Sequence, residues 1–174
     1  MNNFDYLLFQ KLNSLAGRFN WLNNLIIFLA DYLLYFMVLG GLIYLFFAYQ
    51  KKWKNFLDLV LATILSRVIF AEGIRFFYYR PRPFLSHTVN QLLGHDSSGS
   101  FPSGHMTFIF PLITFIYFKN KKVGIVFGVL GLLMGLARIA AGVHYPFDII
   151  SGILIGIFSA WIVEKIMPKI KVFK

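Results

Sequence analysis

A chain of 174 residues with 58% apolar and 19% aromatic side chains is long enough for one domain and too apolar for an ordinary soluble one. Its formal charge of +10 would suit a nucleic-acid binder, but the lysines cluster between apolar runs, where membrane topology places them, so nucleic acid is set aside as a partner. Cysteine is absent, which excludes a disulfide framework and a thiolate metal site.

The first residues, MNNFDYLLFQKLNSLAGRF, lack the basic, apolar and small-residue succession of a cleaved signal peptide. Phe4, Leu7, Leu8, Leu12 and Leu15 recur at helical spacing and predict an amphipathic helix in the membrane interface. Residues 21–49 form the first apolar run. It exceeds the roughly 20 residues of a membrane span, so it is either one tilted helix or a helix broken near Asp31. Further runs cover 56–77, 106–118, 123–141 and 146–167. The third is short unless it takes in the PSGH turn before it, and Pro146 suits the first turn of the last. These runs predict an all-α, polytopic membrane helix bundle of five spans plus an N-terminal amphipathic or sixth helix. A single domain covers residues 1–174, without internal repeats.

Lysine sets the orientation. KKWK at 51–54, KNKK at 119–122 and the tail from Lys165 fall at alternate span ends, so all three share one side. The positive-inside rule makes that side, with the C-terminus, cytoplasmic. Connections 78–105 and 142–145 then face outward, to the periplasm or cell exterior in a bacterium. Those connections and the span ends that flank them carry Arg75, Arg80, Arg82, Arg138, His105, His144 and Asp148, against the topology rule. Ionisable groups at a membrane are functional suspects.

Guanidinium offers forked donors that match phosphate oxygens. Arg75, Arg82 and Arg138 together predict an anion site, whereas Arg80 alone reads as snorkelling to the headgroups. In PSGH, Gly104 permits close backbone approach and unusual dihedrals, Ser103 adds a hydroxyl donor, and the helix that follows presents free amides. The plain alternative is a capped helix start with a surface histidine. In HYPFD, His144 and Asp148 share a face if a helix starts near Pro146. A carboxylate on one ring nitrogen fixes the tautomer and frees the other nitrogen to attack; the plain alternative is a capping pair. Two histidines and three arginines on one face fit phosphoryl transfer, one histidine attacking phosphorus and the other protonating the leaving oxygen. A two-metal phosphatase needs clustered carboxylates, and the outer face offers only Glu72, Asp96 and Asp148, so neither metal nor cofactor is expected.

The spacing Arg75-x6-Arg82-Pro83, then Pro102-Ser103-Gly104-His105, then Arg138-x5-His144-x3-Asp148, resembles the three-part signature of the type 2 phosphatidic acid phosphatase superfamily. The resemblance covers a little under half of the chain and is highly specific. It implies that His144 forms a phosphohistidine, that Asp148 orients it, and that His105 is general acid and then base. It also implies that Arg75, Arg82, Arg138, Ser103 and the Gly104 amide bind phosphate. Two positions depart from the pattern: Arg75 stands where lysine is usual, and Ala137 where serine is usual, which removes one phosphate hydrogen bond. Within the superfamily, YYRPRPFLSHTVNQLLGHDSSGSFPSGH most resembles bacterial undecaprenyl-diphosphate phosphatases of the bacitracin-resistance type. That implies a lipid diphosphate substrate, with phosphatidylglycerophosphate or phosphatidic acid as alternatives.

A non-catalytic lipid-binding or transport protein is the competing class. A vanadate-dependent peroxidase shares the motifs but resembles soluble proteins. Among the remaining polar residues, His87 and His95 read as solvated, with contact to a second phosphate as the alternative. Asp31 and Arg67 lie near mid-span and are expected to pair. Glu72, one turn from Arg75, is expected to orient it, and the aromatic residues 76–79 form an interfacial belt or line the lipid's path.

Overall fold

Long apolar runs with few breakers leave the backbone one way to satisfy its own polar groups in lipid, and it is helix. The computed structural model describes residues 3–48 and 53–166, and every regular element among them is helical. Helix α1 spans Asn3–Asn13 and α2 spans Asn20–Ile27. A π-helical turn, Phe28–Tyr32, leads from α2 into α3, Leu33–Ala48. After it, α4 (Trp53–Ile64) passes through a second π-helical turn, Leu65–Phe70, into α5 (Ala71–Phe77). The short α6 (Pro83–Ser86) precedes α7 (Gly104–Lys119), α8 (Lys121–Ala140) and α9 (Pro146–Ile166).

The apolar run from Trp21 is therefore one continuous rod, loosened but not broken at Asp31. Its 29 residues reach about 43 Å at 1.5 Å per residue, longer than a hydrocarbon core of about 30 Å. Three rods, Asn20–Ala48, Lys121–Ala140 and Pro146–Ile166, are long and apolar enough to cross a membrane. Charged Arg67, Glu72 and Arg75 interrupt the α4–α5 rod, and α7 has only 16 residues. Lys51, Lys52 and the tail beyond Ile166 lie outside the described residues.

Helix α7 is the axis of the bundle. Met106, Ile109, Leu112, Ile113, Phe115 and Ile116 are all buried, although Pro111 sits inside the helix. Helices α8, α9, α3 and α4 surround it. A Cβ on Gly152 of α9 would stand 2.8 Å from the Ser103 carbonyl oxygen and 2.7 Å from the Met106 Cβ. Only glycine lets α9 approach the start of α7 this closely. Apolar side chains on the outside of α3, among them Tyr35, Phe36, Leu39 and Phe47, stay exposed, as expected of a lipid-facing surface.

Helix α1 is amphipathic with an unexpected inner face. Phe4 and Leu7 are exposed, while Asp5, Phe9 and Asn13 are buried. Asn13 donates to the carbonyls of Asn90 and Ala140, both at 2.8 Å, and accepts from the Asn90 amide at 3.0 Å. The helix is thereby tied to the end of the bundle where α8 stops and α9 begins.

Candidate active site

The C-terminus of α5, the N-termini of α7 and α9 and the C-terminus of α8 meet at one end of the bundle. Lys119, Lys121, Lys122 and Lys165 sit at the other end. The end that carries the predicted residues holds a cavity of about 720 Å³. Its polar wall contains Arg75, Arg82, Gly104, His105, Arg138 and His144. Leu34, Tyr35, Val38, Leu39 and Leu42 of α3, with Phe108 of α7, make the opposite wall apolar.

Each guanidinium is held by neutral backbone rather than by a neutralising partner alone. Arg75 donates to the Pro102 carbonyl at 2.8 Å and to Glu72 at 3.0 Å, so Glu72 orients it as expected. Arg82 is 2% exposed and donates to the carbonyls of Ser98 and Val143, both at 3.0 Å. Burial lowers its pKa to about 10, still charged at neutral pH. Arg138, 1% exposed, donates to the Ala30 carbonyl at 2.9 Å. That carbonyl belongs to the π-helical turn, so the loosened turn fixes an arginine.

Turn geometry brings His144 into the site. Gly142, at φ +83°, reverses the chain after α8, and a Cβ there would lie 2.9 Å from the Asn90 carbonyl. His144 and Asp148 then follow at the start of α9, 1% and 0% exposed. His144 Nδ1 stands 3.4 Å from Asp148 Oδ2, while Arg82 Nη1 stands 3.4 Å from His144 Nε2. Arginine can only donate, so Nε2 is the bare nitrogen and Nδ1 carries the proton. Burial, with Arg138 and Arg82 beside it, holds the His144 imidazolium well below the usual histidine range. A neutral imidazole with a bare Nε2 is chemically able to act as a nucleophile.

Asp148 is itself held. It accepts from the Tyr145 amide at 2.8 Å and from Arg80 at 2.7 Å, and its carbonyl accepts from the Ser103 amide at 2.9 Å. The last contact locks the PSGH turn to HYPFD. Gly104 takes no left-handed conformation, contrary to expectation; its absent side chain instead leaves room for two arginines. A Cβ there would lie 3.3 Å from Arg67 Nε and 3.4 Å from Arg75 Nη2. Ser103 Oγ, Arg75 Nε and Arg138 Nε are buried polar atoms without a hydrogen-bond partner in the protein. Such orphans are costly unless a ligand meets them, and together they form a donor set for an anion. Among the described residues no group of three histidine, cysteine or acidic side chains could hold a metal ion.

Family models match residues 55–171 to the PAP2 superfamily. The chain belongs to the PAP2 superfamily. The chain is 33% identical over 163 residues to the bacitracin transport permease protein BcrC of Bacillus licheniformis, covering 93% of this chain and 80% of that one. With the undecaprenyl-diphosphatase BcrC of Bacillus subtilis (strain 168) it shares 30% identity over 158 residues, 91% of this chain and 81% of the relative. Among solved structures, Aquifex aeolicus LpxE superposes with a TM-score of 0.78 at 28% identity, over 93% of this chain and 95% of that one. A PAP2-type phosphatidylglycerolphosphate phosphatase from Bacillus subtilis gives 0.66 at 28% identity, over 98% and 88%. The protein is thus a membrane PAP2 phosphatase, a hydrolase acting on lipid phosphate, built as an all-helical bundle.

Three expectations need correction. Arg80 does not snorkel: its guanidinium bridges Asp148 and Asp5, at 2.7 and 2.5 Å, and stacks 4.0 Å over the Tyr145 ring. Burial works against its charge, but the two carboxylates outweigh it and raise its pKa. Asp31 and Arg67 do not pair. Arg67 donates to Glu72, and Asp31 faces His105 Nε2 at 3.8 Å. His95 is not simply solvated. It lines the cavity with its ring 6.5 Å from that of His144, and burial followed by the charge of Arg82 lowers its pKa. His87 is not solvated either: its ring stacks on Tyr6 at 4.2 Å and its Nε2 is buried, away from the cavity wall. Residues 76–79 are highly exposed, as an interfacial belt requires. Ala137 packs with Ile26, Ala30, Ala140 and Ala141, so its methyl serves the interface between α2 and α8.

Proposed function

We propose that this enzyme hydrolyses undecaprenyl diphosphate to undecaprenyl phosphate and inorganic phosphate, without metal, through a phosphohistidine on His144. The observation that carries the reading is the bare Nε2 of His144 beside Arg82, in a cavity with one cationic and one apolar wall. A terminal phosphate fits among Arg75, Arg82, Arg138 and the Gly104 amide, and the prenyl chain fits along α3. His144 Nε2 attacks phosphorus as the bond to the bridging oxygen breaks. His105 protonates the departing oxygen, then takes a proton from the water that releases phosphate from His144. Charge spread over the three equatorial oxygens in the transition state meets the arginine donors.

The substrate rests on the relative named as an undecaprenyl-diphosphatase. A relative named phosphatidylglycerophosphatase B, 32% identical over 142 residues, keeps phosphatidylglycerophosphate as the second reading. The reading includes five spans, a cytoplasmic C-terminus and a site on the outer leaflet; the lysines lying opposite the cavity support that orientation.

Purified full-length protein in detergent, supplied with undecaprenyl diphosphate, phosphatidylglycerophosphate or phosphatidic acid, decides between them. Phosphate release is expected fastest from the first, to persist in EDTA, and to vanish in His144→Ala. Equal release by that variant would sink the His144 mechanism, and release by neither protein would return the non-catalytic reading. Loss in EDTA would overturn metal independence.

A further inference from the structure

We propose that Asp31 is a positioning residue for the reaction, holding the positive charge of protonated His105 in place while that histidine serves as general acid. The inference rests on the phosphoryl-transfer reading above, in which His105 protonates the leaving oxygen.

The π-helical turn Phe28–Tyr32 interrupts an otherwise regular rod, and single π turns concentrate at functional sites. The turn supplies two groups to the site. The Ala30 carbonyl accepts from Arg138 at 2.9 Å. The next residue brings Asp31 Oδ1 to 3.8 Å from His105 Nε2. That separation is too long for a hydrogen bond and short enough for an ion pair, so Asp31 acts through its charge.

His105 needs such a partner. It shares the cavity with Arg67, Arg75, Arg82 and Arg138, and with His95 and His144. A proton on its ring faces like charge from every guanidinium. Of the acidic groups nearby, Asp96 pairs with His95, Asp148 is engaged by Arg80 and the Tyr145 amide, and Glu72 holds Arg67 and Arg75. Asp31 is the carboxylate aimed at His105. In the first step the N–P bond to His144 forms, the P–O bond breaks, and the imidazolium proton passes to the leaving oxygen. In the second, a water oxygen bonds to phosphorus, the N–P bond breaks, and the water proton returns to His105. The general-acid role needs the ring charged at the start and end of the cycle, and the Asp31 carboxylate would stabilise both states.

The test compares two esters on the full-length protein in detergent micelles. Dodecyl phosphate leaves as an alkoxide that needs protonation; p-nitrophenyl phosphate leaves as a phenolate that does not. Asp31→Asn is expected to lower kcat/KM for the alkyl ester by about 10- to 100-fold while leaving the aryl ester within about 3-fold, a fraction of what general acid catalysis contributes. His105→Asn should show the same selectivity with a larger alkyl-ester loss, about 10²- to 10⁴-fold. Asp31→Glu should restore most of the alkyl-ester rate. Should the amide disturb folding, Asp31→Ser serves the same comparison. Equal losses on both esters, or none, in the Asp31 variants beside a selective His105→Asn would overturn the role of Asp31 alone. An unselective His105→Asn would remove the general-acid reading of the site, and the role of Asp31 with it.

Discussion

Arg80 shows how much one side chain can carry. Its guanidinium joins Asp5 of α1 to Asp148 of α9, two carboxylates with no side-chain exposure. Asp5 also accepts from the Phe147 amide at 3.0 Å, so the bridge sets the start of α9 as well as the carboxylate behind His144. Removing one partner from a buried ion pair costs about 3–5 kcal/mol because the remaining charge is left unpaired. Arg80→Ala is therefore expected to lower the melting temperature in detergent and to reduce phosphate release. An unchanged melting temperature would dismiss the bridge as an ornament of the surface. The family spacing pointed to His144, His105, Asp148 and the three arginines that line the cavity, because chemistry ties those residue types to fixed separations. It said nothing of Arg80, whose partners lie 75 and 68 positions away in the chain. The same limit misled the pairing of Asp31 with Arg67. Hydropathy flagged both as buried charges, and their partners were decided by which faces the rods turn inward.

Helices bring these residues together by how closely they approach. The junction of α9 with α7 depends on Gly152, since its missing side chain lets the Asp148 carbonyl reach the Ser103 amide. Gly152→Ala is expected to push the two N-termini apart, with an overpacking cost of about 1–3 kcal/mol. Because Ser103 and His105 move with α7 while His144 moves with α9, kcat should fall more than the melting temperature suggests. Wild-type kcat in this variant would show that the approach is not needed for the site. The two π-helical turns belong to this scale too. They carry Asp31 and Arg67, both of which reach the site, and periodicity alone reads them as ordinary apolar helix. Helix α1 was expected from its apolar spacing, yet its inner face presents Asp5 and Asn13, polar groups satisfied by Arg80 and by backbone at the far end of α8.

At the scale of the whole molecule, charge is segregated along the bundle. Lysines mark one end and the arginine-lined cavity the other. Phosphate release into water and retention of the lipid product both suit a site at the membrane boundary. The absence of native cysteine makes the orientation testable with single substitutions. In intact cells, Ser97→Cys should react with a membrane-impermeant maleimide, and Lys121→Cys only after permeabilisation. The reverse pattern would invert the topology.

Sequence by itself determined the helical membrane class and the family, and it named candidates for the reacting groups. Apolar runs admit one kind of spanning backbone here, and catalysis fixes residue types and local spacings. Tertiary structure alone decided which carboxylate meets which side chain: Asp148 and Asp5 on Arg80, Glu72 on Arg67 and Arg75, Asp31 facing His105. Electrostatic partnership depends on distance through space across packed helices, and a chain's order does not contain that distance until its faces have been packed.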